Sequence, residues 1–228
     1  MKPWNDIPIV DNREELVEIP NTINFFTPHP YSELGAPYIN KKNIWNLRSN
    51  VLNRLLEANN YLKANYKDYF FIIYDSWRPF EVQEYMFYFA CKNECKKNGI
   101  VFSRENINSY PDIIKKVEKF WAFPSPNINN PPPHSTGAAL DITLLDKSGK
   151  LLDMGCEIDQ MDDTAIPDYY QHGSNQKEKD WHLRRKILQE TMNKFGFAQH
   201  PNEWWHFSYG DQLWAWKNNK KKAIYGKV

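Results

Sequence analysis

Cysteine is scarce in this chain of 228 residues, which holds only Cys91, Cys95 and Cys156. Three thiols form no disulfide framework, so a small disulfide-stapled scaffold is excluded and a reducing compartment suits the chain. Long hydrophobic runs are missing too. Nothing approaches the roughly 20 apolar residues of a membrane-spanning helix, and residues 1–8 have no apolar stretch long enough for a signal peptide. The cytoplasm is the expected location, with no membrane partner. Charge of one sign is not in excess: 29 Lys and Arg face 28 Asp and Glu, for a formal net charge of +1. That balance creates no overall field for nucleic acid. Internal repeats, long low-complexity tracts and flexible linkers are likewise absent. One domain over residues 1–228 is therefore expected, with a basic, solvated tail from about 217 that is free to be mobile. The oligomeric state is not set by the sequence.

Aromatic residues are abundant. Nine tryptophans and thirteen tyrosines help a chain of polar average build an interior. A recurring apolar face at Leu47, Val51, Leu52, Leu55, Leu56 and Leu62 predicts a helix over about 44–65. A second is predicted over about 80–97, with Pro79 suited to its first turn. A third, over about 176–195, carries Leu183, Ile187, Leu188, Thr191 and Met192 and stops at Gly196. Strands are predicted at 69–74, 138–145 and 204–209, where β-branched, aromatic or alternating residues concentrate. Residues 124–133 are too rich in proline for a helix or a central strand. They read as a connecting loop or as a rim beside a site. The expected fold class is α+β, with helices packed on a small, largely antiparallel sheet.

Two motifs carry the chemistry. The string His134-Ser-Thr-Gly-Ala-Ala-Leu-Asp141 and the later Glu203-Trp-Trp-His206 together supply two imidazoles and two carboxylates. A catalytic zinc takes three such ligands and leaves a fourth position for water. His134, Asp141 and His206 are the candidate ligands of one zinc ion per chain. Glu203 stays off the metal and moves the proton. Donor atoms around one zinc lie about 3 to 3.5 Å apart, whereas an extended run from His134 to Asp141 would span roughly 23 Å. The chain must fold back between them, and Gly137 permits the bend. Asp141 then faces away from Leu140, Ile142 and Leu144. Glu203 belongs at a strand entrance or bulge, since strict alternation would oppose it to His206. Taken singly, a histidine such as His134 beside a glycine is usually a turn or capping residue, and one such as His206 among tryptophans is more often a satisfied core residue. Asp141 in an apolar strand is harder to explain without a partner.

Arg78 is the third candidate. It lies at the start of the second predicted helix, where a cation faces the positive end of the helix dipole. It must have a nearby carboxylate, Asp75 or Glu81, or an anion to hold. In a peptidase its rigid fork would stabilise a developing oxyanion.

With these residues assembled, the chain resembles the VanX-type D-alanyl-D-alanine dipeptidases, zinc peptidases sharing a fold with murein D,D-carboxypeptidases and the hedgehog domain. The resemblance runs from about residue 19 to 209. It rests on Asp75-Ser-Trp-Arg78-Pro79, the 134–141 string, Met154-Gly155 with Asp159, and the doubled tryptophan of the last motif. It implies that Asp159 helps hold the substrate's ammonium group and that Trp204 lines the pocket. Two departures concern the substrate. Relatives carry a tyrosine in a Tyr-Ala-Thr string where this chain has Phe25-Phe26-Thr27. Pro132 stands where a serine can contact the dipeptide. A site losing such contacts discriminates less sharply.

Two rival functions are a murein D,D-carboxypeptidase and a non-catalytic zinc-bearing binding module. Retention of both Glu203 and Arg78 argues against the module, since neither is needed merely to keep zinc. Cys91 and Cys95, four apart on a predicted helix, could mimic half a metal site but have no second pair and read as helix-face residues.

Overall fold

The computed structural model describes residues 2–38 and 44–228. Its centre is a sheet of five strands. β1 (Leu16–Glu18) lies outside that sheet, β2 (Asn24–Phe25) is its edge, and β3 (Asn46–Arg48) pairs only with β1. β4 (Tyr69–Asp75), β5 (Ala139–Asp146), β6 (Ala198–Gln199) and β7 (His206–Ser208) complete the five, in the order β2-β4-β5-β7-β6. Only the β2–β4 pair is parallel. The helices are α1 (Pro30–Glu33), α2 (Ser49–Asn65), α3 (Phe80–Lys97), α4 (Pro111–Val117), α5 (Gln176–Lys194) and α6 (Gln212–Lys217). The α+β class with a largely antiparallel sheet is the observed one.

Burial explains the order. In β5 every residue but the last is buried, as a central strand requires. Leu140, Ile142 and Leu144 join Leu52, Leu55 and Leu62 of α2 and Leu188 and Met192 of α5 in one apolar cluster. A second cluster gathers Val82, Met86, Phe87, Cys91 and Cys95 of α3 with Ile113 and Val117 of α4. Both helix-face cysteines are therefore packing residues. Burial pushes the Cys91 thiol up to about 12, which leaves it inert as a ligand.

Three sequence expectations need correction. The first helix begins at Ser49, because residues 46–48 are extended and pair with β1, and Arg48 N donates to Gly137 O at 2.8 Å. Tertiary pairing overrides the helical period there. On α5, Leu183 is 56% exposed and Arg185 is buried in the apolar face. Its guanidinium donates to the carbonyls of Met154, Ile166 and Thr164 at 2.7 to 2.9 Å, which satisfies the charge. Pro79 caps α3 rather than lying inside its first turn. At the C-terminus, Lys217 and Lys220 to Lys222 are exposed. The chain beyond them packs back, with Ala223 and Tyr225 fully buried, Ala223 bridged to Ile9, and Val228 N donating to Ser135 O. Among the described residues no helix is long and apolar enough to cross a membrane.

Candidate metal centre and active site

The register of the central strands assembles the site. On β5, Asp141 is paired with His206 of β7 on one side and with Asp75 of β4 on the other, past an irregularity between Ile73 and Asp75. His134 arrives from a different direction. It sits in a single 3-10 turn, Pro133–Thr136, which ends at Gly137 with φ of +70°. That left-handed residue reverses the chain and feeds β5, so the residues of the first string converge.

The donor atoms meet closely. His134 Nε2 lies 3.1 Å from His206 Nδ1 and 3.3 Å from Asp141 Oδ2, and His206 Nδ1 lies 3.1 Å from Asp141 Oδ1. All three side chains are buried. His134 Nδ1 donates to the Ser76 carbonyl at 2.7 Å, which fixes the ring with Nε2 turned towards His206 and Asp141. The His206 ring turns its Nε2 to Ser208 Oγ at 3.3 Å. Converging lone pairs and a carboxylate, spaced as ligands of one ion are, fit a divalent cation. Burial alone would raise the Asp141 carboxyl, but His134 and His206 beside it hold it far below the usual range.

Glu203 stands just outside this triple. The turn at residues 201–205 precedes β7, so Glu203 escapes strand alternation, with Oε2 3.7 Å from His206 Nδ1 and Oε1 3.3 Å from His200 Nδ1. Burial pushes its carboxyl up to about 8, assisted by Asp141 and opposed by Lys2.

Arg78 is buried and forked onto Asp75, with Nε and Nη2 at 2.9 and 2.6 Å from Oδ2. Its Nη1 donates to Gln83 Oε1 at 2.7 Å, and Nη2 lies 3.6 Å from Asp141 Oδ2. The partner is thus Asp75, in a buried pair that points the cation at a candidate ligand. Burial alone would raise Asp75, yet Arg78 and the hydrogen bond from His29 hold its carboxyl below the ordinary range.

Asp159 adopts φ of +66° and accepts from the Tyr31 hydroxyl at 3.0 Å. Burial and then Asp141 lift its carboxyl to about 7. A small cavity of about 30 Å³ touches Arg78, His134, Asp141, Asp159, Glu203 and His206. Trp204 does not line it. Adjacent residues of the turn face opposite ways, so Trp205 meets the cavity while Trp204 Nε1 donates to Cys156 Sγ at 3.3 Å and its ring packs on Arg185. Phe25 is set back, stacked on Trp45 at 5.0 Å, which in turn packs on His29.

Sequence reasoning missed Tyr31, His29, Gln83, His200 and Lys2. Tyr31 restores a hydroxyl near the site, at 3.3 Å from Arg78 Nη2, although Phe25 has none. None of these residues carries a spacing signal, because each reaches the site through tertiary folding.

With this geometry established, comparison with known proteins is decisive. Residues 34–223 match the family model described as D-ala-D-ala dipeptidase. The chain belongs to that family of metallopeptidases. It is 39% identical to a D-alanyl-D-alanine dipeptidase of Synechocystis over 241 aligned positions, covering 100% of this chain and 97% of the relative. A D-alanyl-D-alanine dipeptidase of Escherichia coli is 36% identical over 74 positions, 32% of this chain and 36% of the relative. Among solved structures, a variant of the vancomycin-resistance D,D-pentapeptidase VanY in complex with Zn(II) shares the fold, with a TM-score of 0.51 at 15% identity, covering 95% of this chain and 90% of that one. The metallopeptidase is therefore an enzyme of known fold whose candidate ligands are His134, Asp141 and His206.

Proposed function

We propose that this metallopeptidase hydrolyses D-alanyl-D-alanine, or a closely related D,D-dipeptide, to free D-amino acids, with one zinc ion held by His134, Asp141 and His206. The observation that carries this reading is the buried Glu203 carboxyl beside a triple of converging donors, in a chain of the dipeptidase family. Zinc bound there would supply a Lewis acid able to acidify water and polarise the scissile carbonyl. Glu203 takes the proton of the attacking water and delivers it to the departing amine. A carboxyl raised towards neutrality is suited to both halves of that exchange. Arg78 faces the reacting carbonyl and stabilises the negative charge that develops on its oxygen. Its bonds to Asp75 and Gln83 fix the fork before substrate arrives, so little reorganisation is needed. Asp159, oriented by Tyr31, holds the substrate's ammonium.

The loss of a serine at Pro132 removes a polar contact with the substrate and leaves the donors for the metal untouched, so hydrolysis survives and selectivity loosens. The cytoplasm, where a reducing environment suits three free thiols, is the compartment this reading assigns. The test is to incubate zinc-loaded protein with D-Ala-D-Ala, L-Ala-L-Ala and an N-acylated D-Ala-D-Ala and to measure free amino acid. Release from the first alone is the expected result. Cleavage of the acylated compound would indicate a carboxypeptidase, and no release from any would indicate a binding module.

A further inference from the structure

A dipeptide has two charged ends, and the site as described accounts for one. The scissile carbonyl faces Arg78 and the ammonium goes to Asp159. The C-terminal residue begins at the amine that Glu203 protonates, so its carboxylate must lie just past Glu203, on the side away from Asp159. Among the described residues two cations line the cavity at the candidate ligands, Arg78 and Lys2. Arg78 is held by Asp75 and Gln83, and in the reading above what it has left to offer goes to the reacting carbonyl. Lys2 is not committed.

Among the described residues Lys2 makes no ion pair; its ammonium rests 5.4 Å from the Trp4 ring and feels Glu203 and Glu118 from a distance. Burial draws its pKa down, so an incoming carboxylate would relieve an under-compensated charge. The segment that carries it is fixed. Asn5 N donates to Lys2 O at 3.1 Å, the Trp4 ring packs on His200 and Trp216 at 5.5 and 5.4 Å, and Gln212 Nε2 donates to Ile7 O at 2.7 Å.

Lys2 also marks a boundary. A second cavity of about 290 Å³ adjoins the first and shares Lys2, Ala122 and Pro133 with it. About 30 Å³ at the ligands holds little more than water, so the C-terminal half of a dipeptide must extend towards the larger space, past Lys2. Pro132, which lines that space, has no polar hydrogen to offer the carboxylate.

We propose that Lys2 binds the C-terminal carboxylate of the dipeptide at the junction of the two cavities and makes a free carboxylate end a requirement of the enzyme. This rests on the peptidase reading above. The test compares D-Ala-D-Ala with its C-terminal amide on the zinc-loaded full chain, as wild type, Lys2→Met and Lys2→Arg. A charge-assisted contact predicts that the wild type prefers the acid to the amide by about tenfold or more in kcat/KM. Lys2→Met, which keeps a similar stem over Trp4, should raise KM for the acid about tenfold, leave kcat within about threefold and erase the preference. Lys2→Arg should restore most of it. Equal cleavage of acid and amide by the wild type would overturn the proposal without recourse to any variant. So would an unchanged KM in Lys2→Met, or a fall confined to kcat, which would tie Lys2 to Glu203 instead. A wild type that releases no D-alanine at all would overturn the peptidase reading itself, and this one with it.

Discussion

Side-chain protonation decides what each residue of the site can do. His134 spends Nδ1 on Ser76 O at 2.7 Å, which leaves Nε2 as the inward donor, whereas His206 turns Nδ1 inward. Glu203 is buried, with the imidazoles of His200 and His206 but no Lys or Arg pairing with it among the described residues, and burial lifts its carboxyl from an ordinary 4.5 to about 8. Replacing it tests its role in two ways. Glu203→Gln should lower kcat by about 10³-fold or more while zinc content, measured by elemental analysis, stays at the wild-type level. The metal-free protein gives the second readout. A carboxyl raised in the folded state carries no penalty below the unfolded value; as pH rises from about 4.5 to about 8 the unfolded chain ionises first and stability is lost. The gain in melting temperature of metal-free Glu203→Gln over wild type should therefore be larger above pH 8 than below pH 4.5; an equal gain at both would contradict the raised carboxyl. Of these residues the four in the two motifs were legible in the sequence, because a carboxylate in an apolar strand and a histidine beside a glycine have few other uses together. Tyr31 and Lys2 were not, since no local pattern marks a side chain that reaches a site by way of the tertiary fold. Trp205 meets the cavity where Trp204 was expected, because the turn at 201–205 breaks the parity of an ideal strand.

At the level of elements, β5 and its two neighbours do the positioning. Pairing of Asp141 with His206 and with Asp75 brings a candidate ligand, its partner and the anchor of Arg78 into one row. The alternation of Leu140, Ile142 and Leu144 against Asp141 and Thr143 made β5 readable in advance, as did the long apolar period of α2 and the glycine stop after α5. The start of α2 was not readable: residues 46–48 satisfy a helical pattern but are claimed by β1. Gly137 is the joint between the two halves of the first motif. A Cβ there would press on Leu16 Cδ2, at a φ of +70° that other residues rarely adopt. Gly137→Ala should therefore destabilise the protein by about 1–3 kcal/mol and weaken zinc binding, because a turn that relaxes away from this left-handed geometry shifts His134. Thermal melts with and without zinc check both effects. Unchanged zinc affinity in a destabilised variant would show that His134 is held independently of this turn.

For the whole molecule, both ends of the described chain close on the sheet that carries the site. Ile9 bridges Ala223, Tyr225 donates to Glu14 Oε2 at 2.8 Å, and Lys2 reaches the cavity beside Glu203. The balanced charge and sparse cysteines pointed to a compact enzyme without indicating this closure, because composition carries no information on where the ends pack. The central claim is that three side chains from two distant motifs hold one ion, which in turn gives Glu203 and Arg78 their work. Diffraction from zinc-soaked crystals, recorded on both sides of the zinc absorption edge, tests it most directly. The account predicts one anomalous peak per chain, about 2.0–2.2 Å from His134 Nε2, an Asp141 carboxylate oxygen and His206 Nδ1, with the Glu203 carboxylate outside bonding distance. A peak coordinated by Glu203, or no peak among these three residues, would contradict it.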